Sequence, residues 1–457
     1  MARIETDYLI VGAGAMGMAY ADVLVRETQA RIVIVDKQDK PGGHWNHAYP
    51  FVRLHQPSSF YGVNSRSLGS GRVDQVGGNR GLGELASKGE ILDYFESVLR
   101  HDMLPTGRVR YFPQSDYLGD GRFRARATGE VSQVAARKIV DATYMKVKVP
   151  QTTPPAFEVA DGVDCAPPNA LGALERSYDA FVVLGAGKTG FDALLYLLEL
   201  GVSPDKIIWI APRDSWLLNR AHFQPGRVVA GFLPQIAAIA ASTSLEDLFR
   251  RVEATNGLLR IHRDREPTMF RCATMSELEL ESLRKIDNVV RLGRVTTLKP
   301  GRIELEGGGV DVPMNALYVN CTADGLEKLP ARPVFDGDRT TLQAVRGCQQ
   351  VFCAAFIAHV ETMDRPEAEK NAICAVDPHP DDALDYLNIV KSWFGSELRW
   401  SGDPELFAWL SASRLSGLSE EFGALLAGDG PLPPQEALEV AQTALAKIDE
   451  YLAAAGP

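Results

Sequence analysis

The sequence predicts an α/β chain of two doubly wound units, the second inserted in the first, with a helical C-terminal cap. Three observations carry this. One order of elements (strand, glycine loop, helix, strand, charged residue) occurs twice, over 7–36 and over 180–213. At 457 residues the chain is too long for one ordinary core. Its last stretch carries apolar residues at helical spacing, Ala383, Leu384, Leu387, Val390, Trp393 and Phe394, and again from Pro434 to Ala455.

Composition narrows the class. A net charge of −11 leaves no basic face for nucleic acid. No apolar run reaches the roughly 18–20 residues that span a bilayer. The longest, Val228–Ala241, is broken by Pro234 and Gln235 and reads as a buried helix beside the active site. Met1–Asp7 carries charge where a secretory leader needs an apolar core, so the chain is expected in the cytoplasm. Cysteines 165, 272, 321, 348, 353 and 374 form no CxxC pair and are expected as thiols. Cys348–Cys353 reads as a buried strand.

The first unit opens with the apolar strand Asp7–Val11. It runs into Gly12-Ala13-Gly14-Ala15-Met16-Gly17 and a helix to Arg26. Such a loop permits a tight turn and brings backbone close to a pyrophosphate, while the helix N-terminus presents N–H groups to it. The next strand, Arg31–Val35, ends at Asp36, where a carboxylate accepts ribose hydroxyls. Strand, glycines, helix and acid together make a Rossmann-like dinucleotide site. Gly42-Gly43-His44-Trp45 follows. A glycine pair lets the chain fold over the cofactor, and Trp45 is placed to pack on a flavin, which points to FAD.

The second unit repeats the device. Phe181–Leu184 leads into Gly185-Ala186-Gly187-Lys188-Thr189-Gly190 and a helix that stops at Gly201. The strand Lys206–Ile210 then ends in Ala211-Pro212-Arg213. An arginine where the first unit has Asp36 suits a 2′-phosphate, and Lys188 adds a second cation, so NADPH is the expected second dinucleotide.

Gly42–Trp45, followed by Tyr49-Pro50-Phe51-Val52-Arg53, Ser58 and Tyr61, resembles the flavin-contact loop of Baeyer–Villiger monooxygenases. More broadly it resembles class B flavoprotein monooxygenases, which include flavin-containing and N-hydroxylating enzymes. Arg213-Asp214-Ser215-Trp216 is similar to the run that selects NADPH in that family, and Asn320–Gly325 to its Ala-Thr-Gly turn beside the flavin. The resemblance covers 5–62 and 180–216 well, 286–325 loosely and the tail hardly at all.

It implies FAD contacts from Gly12, Gly14, Ala15, Met16 and Gly17, and from Asp36 and Lys37. Further contacts are expected from Gly43, His44, Trp45, Arg53, Leu54, His55 and Tyr61, with Val109 and Asp324. Gly185, Gly187, Lys188, Thr189, Gly190 and Arg213 would hold NADPH. The resemblance also implies NADPH-driven, O2-dependent transfer of one oxygen atom to a small organic substrate through a C4a-(hydro)peroxyflavin.

The match has gaps. The fingerprint FxGxxxHxxxW has no counterpart in Phe157–Asn169, which lacks its glycine and histidine. His55 stands where the family usually has aspartate. The family's catalytic arginine has no clear equivalent, Arg271 being the nearest. Ketone-to-ester chemistry is therefore not supported. His55 is the candidate proton holder, titrating around its ordinary value near 6.5 and able to orient Arg53. His44, His47 and His55 lack carboxylate or cysteine partners at ligand spacing, so no metal is expected. Two other readings stay open: a flavin reductase, oxidase or dehydrogenase without oxygen insertion, and a non-catalytic dinucleotide sensor.

The expected domains are 1–150 for the first part of the FAD unit and 176–315 for the NADPH unit, with a helical insert near 225–285. Residues 316–378 would return to the FAD unit, and 379–457 would be helical.

Overall fold

The computed structural model describes residues 3–417, 419–429 and 432–455. Strand β1 (Arg3–Val11) leads into helix α1 (Ala15–Glu27), then β2 (Ile32–Val35), β3 (Val109–Phe112) and β4 (Val131–Asp141). The chain then leaves for a second unit built from β5 (Asp164–Ala166), β6 (Ala180–Leu184), α2 (Lys188–Glu199) and β7 (Ile207–Ile210). An insert follows, with β8 (Ser215–Asn219), α3 (Val228–Ala240), α4 (Leu245–Ala254) and β9 (Met269–Met275). Strands β10 (Val289–Val290) and β11 (Ala316–Asn320) finish the second sheet. The chain returns through β12 (Arg339–Thr341) and α5 (Gln350–Thr362), and ends in helices that include α6 (Asp385–Ser401) and α7 (Pro434–Ala455).

The first sheet has the order β12–β4–β1–β2–β3, and these strands pair in parallel. Leu9 and Ile10 are fully buried because helices cover one face and the hairpin 115–125 the other. The second sheet, β5–β11–β6–β7–β10, is parallel throughout. One unit lies inside the other, since β12 joins the first sheet after the whole second sheet has been laid down.

The structure corrects three sequence expectations here. Ala316–Asn320 does not return to the first unit. It is β11, next to β6 at the centre of the second sheet, and the return comes at β12. Its five residues are buried on both faces, and such an apolar strand fits either sheet equally well by pattern. The 225–285 segment is not wholly helical, because β8, β9 and Leu258–Leu259 form a small sheet between its helices. Cys348–Cys353 is not a strand either: from Gln350 the chain is helix α5, packed against α1. The run Val351–Ala358 is buried all round and hides the helical period, and only its length separates the two readings.

Most of α6 and α7 packs onto the insert, while Trp400 and the helix Pro404–Ala412 join the first unit's core against α5. Trp393 of α6 and Ile448 and Tyr451 of α7 share a core with Phe232 of α3, Phe249 of α4 and Trp216 of β8. Among the described residues no helix is long and apolar enough to cross a membrane.

Candidate active site

Helix α1 starts at Ala15 with Gly14 extended at its N-cap, and no side chain caps it. Its first N–H groups are left for a ligand. A Cβ on Gly17 would fall inside the carbonyl oxygen of Gly12, so only glycine lets the helix start this close to the β1 turn. Asp36 closes the loop from the far side, accepting N–H bonds from Ala13 and, at 2.6 Å, from Gln38. Burial raises the Asp36 pKa, and those two donors offset part of the rise.

Helix α2 repeats this geometry. Gly187 is its extended N-cap, again without a side-chain cap, and Gly190 lies against Gly185 as Gly17 lies against Gly12. Lys188 pairs with Asp192, and Tyr49 of the first unit donates to Asp192 at 2.5 Å. Phe51 stacks on Tyr196 with ring centroids 3.9 Å apart. The 49–51 loop of the first unit is thereby held against α2.

Between them lies a cavity of about 1020 Å³. Gly12, Gly14, Ala15, Met16, Asp36 and Lys37 line one end. Gly43, His44, Trp45, Leu54, His55 and Tyr61 follow, then Lys188 and Thr189 of the second loop, and Arg271. Buried Trp45 is fixed by its Nε1 donating to the Tyr61 hydroxyl at 2.7 Å. The wall carries the α1 N-terminus at one end and the aromatic rings of Trp45 and Tyr61 further along.

His55 is pinned by the insert. The Thr274 N–H donates to His55 Nδ1 at 3.2 Å, which places the ring proton on Nε2. Thr274 Oγ1 and, at 2.9 Å, Arg220 Nε donate to the His55 carbonyl. Burial, with Lys188 and Arg220 nearby, pushes the imidazole down to about 3. Burial and these neighbouring charges oppose the expectation that His55 titrates near neutrality. It is a neutral hydrogen-bond donor across that range. Burial likewise holds His44 at about 4.

Three further site expectations are not met, and a fourth residue, Arg213, is held by carboxylates. Arg53 is exposed and donates to the Leu85 carbonyl at 3.0 Å, so it points away from the cavity and His55 does not orient it. Val109 belongs to the core of β3, paired with Ile32, and Ser115, Asp116 and Tyr117 occupy the wall nearby. Asp324 is exposed and pairs with Arg271, while its neighbours Gly325 and Leu326 reach the cavity. Arg213 is not a free cation. It pairs with Asp381 at 2.8 Å and Asp382 at 3.0 Å, because 381–382 runs beside β9, with Phe270 N–H donating to the Asp381 carbonyl. Burial alone would raise Asp381. Lys328, Arg213 and Arg271 together hold it well below the usual carboxylate range.

The structure adds wall residues that the sequence reading missed. Asn169 donates to the carbonyls of His47 and Ala48. His379 is pushed down to about 4 by burial and by Arg271. Trp393 and the disulfide Cys272–Cys348 also stand on the wall. The disulfide corrects the expectation of six thiols. Its cysteines are 76 residues apart, and no local signal pairs them. Among the described residues no cluster of three metal-ligating side chains occurs.

Residues 10–54 match the family described as an NAD(P)-binding Rossmann-like domain. The chain is 54% identical over 422 residues to the uncharacterized protein Rv2000 of Mycobacterium tuberculosis, covering 91% of this chain and 78% of that one. The uncharacterized protein Mb2023 of Mycobacterium bovis gives the same figures. Among solved structures, a flavin-containing monooxygenase from Stenotrophomonas maltophilia overlaps at TM-score 0.46 and 15% identity, over 81% of this chain and all of that one (100%). An oxidized steroid monooxygenase bound to NADP overlaps at TM-score 0.47 and 16% identity, over 93% and 98%. Those overlaps are partial.

Proposed function

The chain belongs to the family of the mycobacterial protein Rv2000, and from its geometry we propose an FAD-dependent, NADPH-using monooxygenase that acts on a small organic substrate. One observation carries this reading: two glycine-loop helices without side-chain caps, each following the central strand of its own parallel sheet, open toward a single cavity.

The residues fit the two groups. The α1 N-terminus and Asp36 would take the pyrophosphate and adenosine ribose of FAD, and Trp45 and Tyr61 would flank its ring. Lys188 and Thr189 would meet the phosphates of NADPH, and Arg213 would meet the 2′-phosphate in exchange for Asp381 and Asp382. Held there, FAD would supply two-electron redox chemistry between a nicotinamide and O2. The protein's part is to hold, dry and polarise. Leu218, Phe223, Val228 and Trp393 make an apolar wall that would keep water from the reacting groups. His55 offers its Nε2 proton at a fixed position. Arg271 is a permanent positive charge on the same wall, braced by Asp381.

The test is stoichiometry. Purified protein should release FAD on heating, and with a substrate the O2 and NADPH consumed should match product formed. Full release of hydrogen peroxide in the presence of candidate amines, sulfides and ketones would move the assignment to a second reading, an NADPH-dependent flavin oxidoreductase without oxygen insertion. The Cys272–Cys348 disulfide on the wall favours that second reading.

A further inference from the structure

One covalent bond ties the insert to the start of α5. Cys272 and Cys348, with Cα atoms 6.4 Å apart, form a disulfide on the wall of the cavity that the two glycine loops share.

The backbone presents each sulfur deliberately. Along β8 and β9 the register jumps from Trp216↔Phe270 to Leu218↔Thr274, so Arg271, Cys272 and Ala273 all stand opposite Leu217. This bulge turns Cys272 out of the ladder, and its φ of +55 is a left-handed conformation that a non-glycine residue seldom adopts. Cys348 lies just ahead of α5, which begins at Gln350. A helix N-terminus favours a thiolate over a thiol. Beside it, Trp393 packs against Gly347, and among the described residues its buried Nε1 has no hydrogen-bond partner.

The other four cysteines differ. None is on the wall, and burial pushes each thiol up, Cys165 and Cys353 to about 11. A thiol held protonated is a poor nucleophile. Only the bridged pair combines cavity access with a setting that supports thiolate chemistry.

We infer that Cys272–Cys348 is a redox-active disulfide and the second two-electron acceptor of the protein. This rests on the proposed FAD and NADPH sites. The S–S bond breaks as two electrons arrive. They come from the C4 hydride of NADPH by way of the flavin. One further proton comes from solvent, so that NADPH, H+ and the disulfide become NADP+ and two thiols. Opening the bond also releases β9 from α5, on the side of the cavity that carries His55 and Arg271.

The experiment is an anaerobic titration of the FAD-loaded protein with NADPH, followed by iodoacetamide and peptide mass mapping. The expected result is alkylation of both Cys272 and Cys348 only after NADPH, and uptake of about two NADPH per FAD, against about one in Cys272→Ser and Cys348→Ser. A bridge that persists once the flavin has bleached makes the disulfide a structural staple and overturns the inference, as do free thiols at both positions before NADPH is added. If NADPH leaves the flavin oxidised, the proposed function has failed instead. Photoreduction of the bound flavin then puts the same question to the disulfide, and an intact bridge again overturns it.

Discussion

His55 shows how far a residue's chemistry depends on what packs over it. Its place in the flavin-loop tract is legible in the sequence. Its charge state is not, because Thr274 and Arg220, which shield and fix it, lie far along the chain. With His55 held at about 3 and His44 and His379 at about 4, the folded chain binds fewer protons than the unfolded one between those values and about 6.5. These imidazoles therefore contribute stability that is full above about pH 6.5 and is lost as pH falls toward 4 and 3. Urea midpoints at pH 7 and pH 5 should differ, with pH 5 lower, and His55→Gln should narrow the gap. Between pH 6 and 8 the same variant should leave the shape of the flavin-reduction profile unchanged.

Arg213 makes the same point with charge. Its position after β7 marks it for a 2′-phosphate, yet the carboxylates that hold it come from the segment beside β9. Arg213→Ala should cut the preference for NADPH over NADH by about 1.5–3 kcal/mol, the value of a charged hydrogen bond. Asp382→Asn, which removes a competitor for the guanidinium, should tighten NADPH binding. Dissociation constants for both coenzymes check both outcomes. Equal affinities in the unaltered protein would refute the assignment.

Elements were legible where the pattern is local. The two glycine loops, their helices and the strands on either side follow from turn chemistry and apolar runs of ten or so residues. Helix α5 was misread because it is buried on all sides, and β11 because sheet membership is set by long-range pairing. The β9 bulge and the disulfide left no local mark at all. At this scale Gly17 is the most exacting residue. Gly17→Ala must push the start of α1 away from Gly12, a steric cost of about 1–3 kcal/mol. The first effect should be loss of FAD from a protein that still folds. Flavin fluorescence after gel filtration measures this, and full FAD retention would contradict the reading of the first loop.

The whole molecule is two nested units clamped on one cavity, and the clamp was invisible in the sequence. Its centre is Arg220, which is buried. It donates to the His55 carbonyl and, at 3.0 Å, to Asn79, and pairs with Glu279 at 2.9 Å, joining the first unit to the second unit's insert. Arg220→Met takes the charge partner from Glu279 and a donor from Asn79 and from the His55 carbonyl, and the loss should be about 3–5 kcal/mol of stability, read from denaturant unfolding. An unchanged midpoint would show that the units do not depend on this contact. The clamp also keeps the two glycine loops on one cavity, and the functional reading needs them there. Anaerobic stopped-flow absorbance of the FAD-loaded protein tests this most directly. NADPH should bleach the flavin rapidly, and NADH much more slowly. A protein that takes up no FAD, or whose flavin stays oxidised with both coenzymes, would contradict the account.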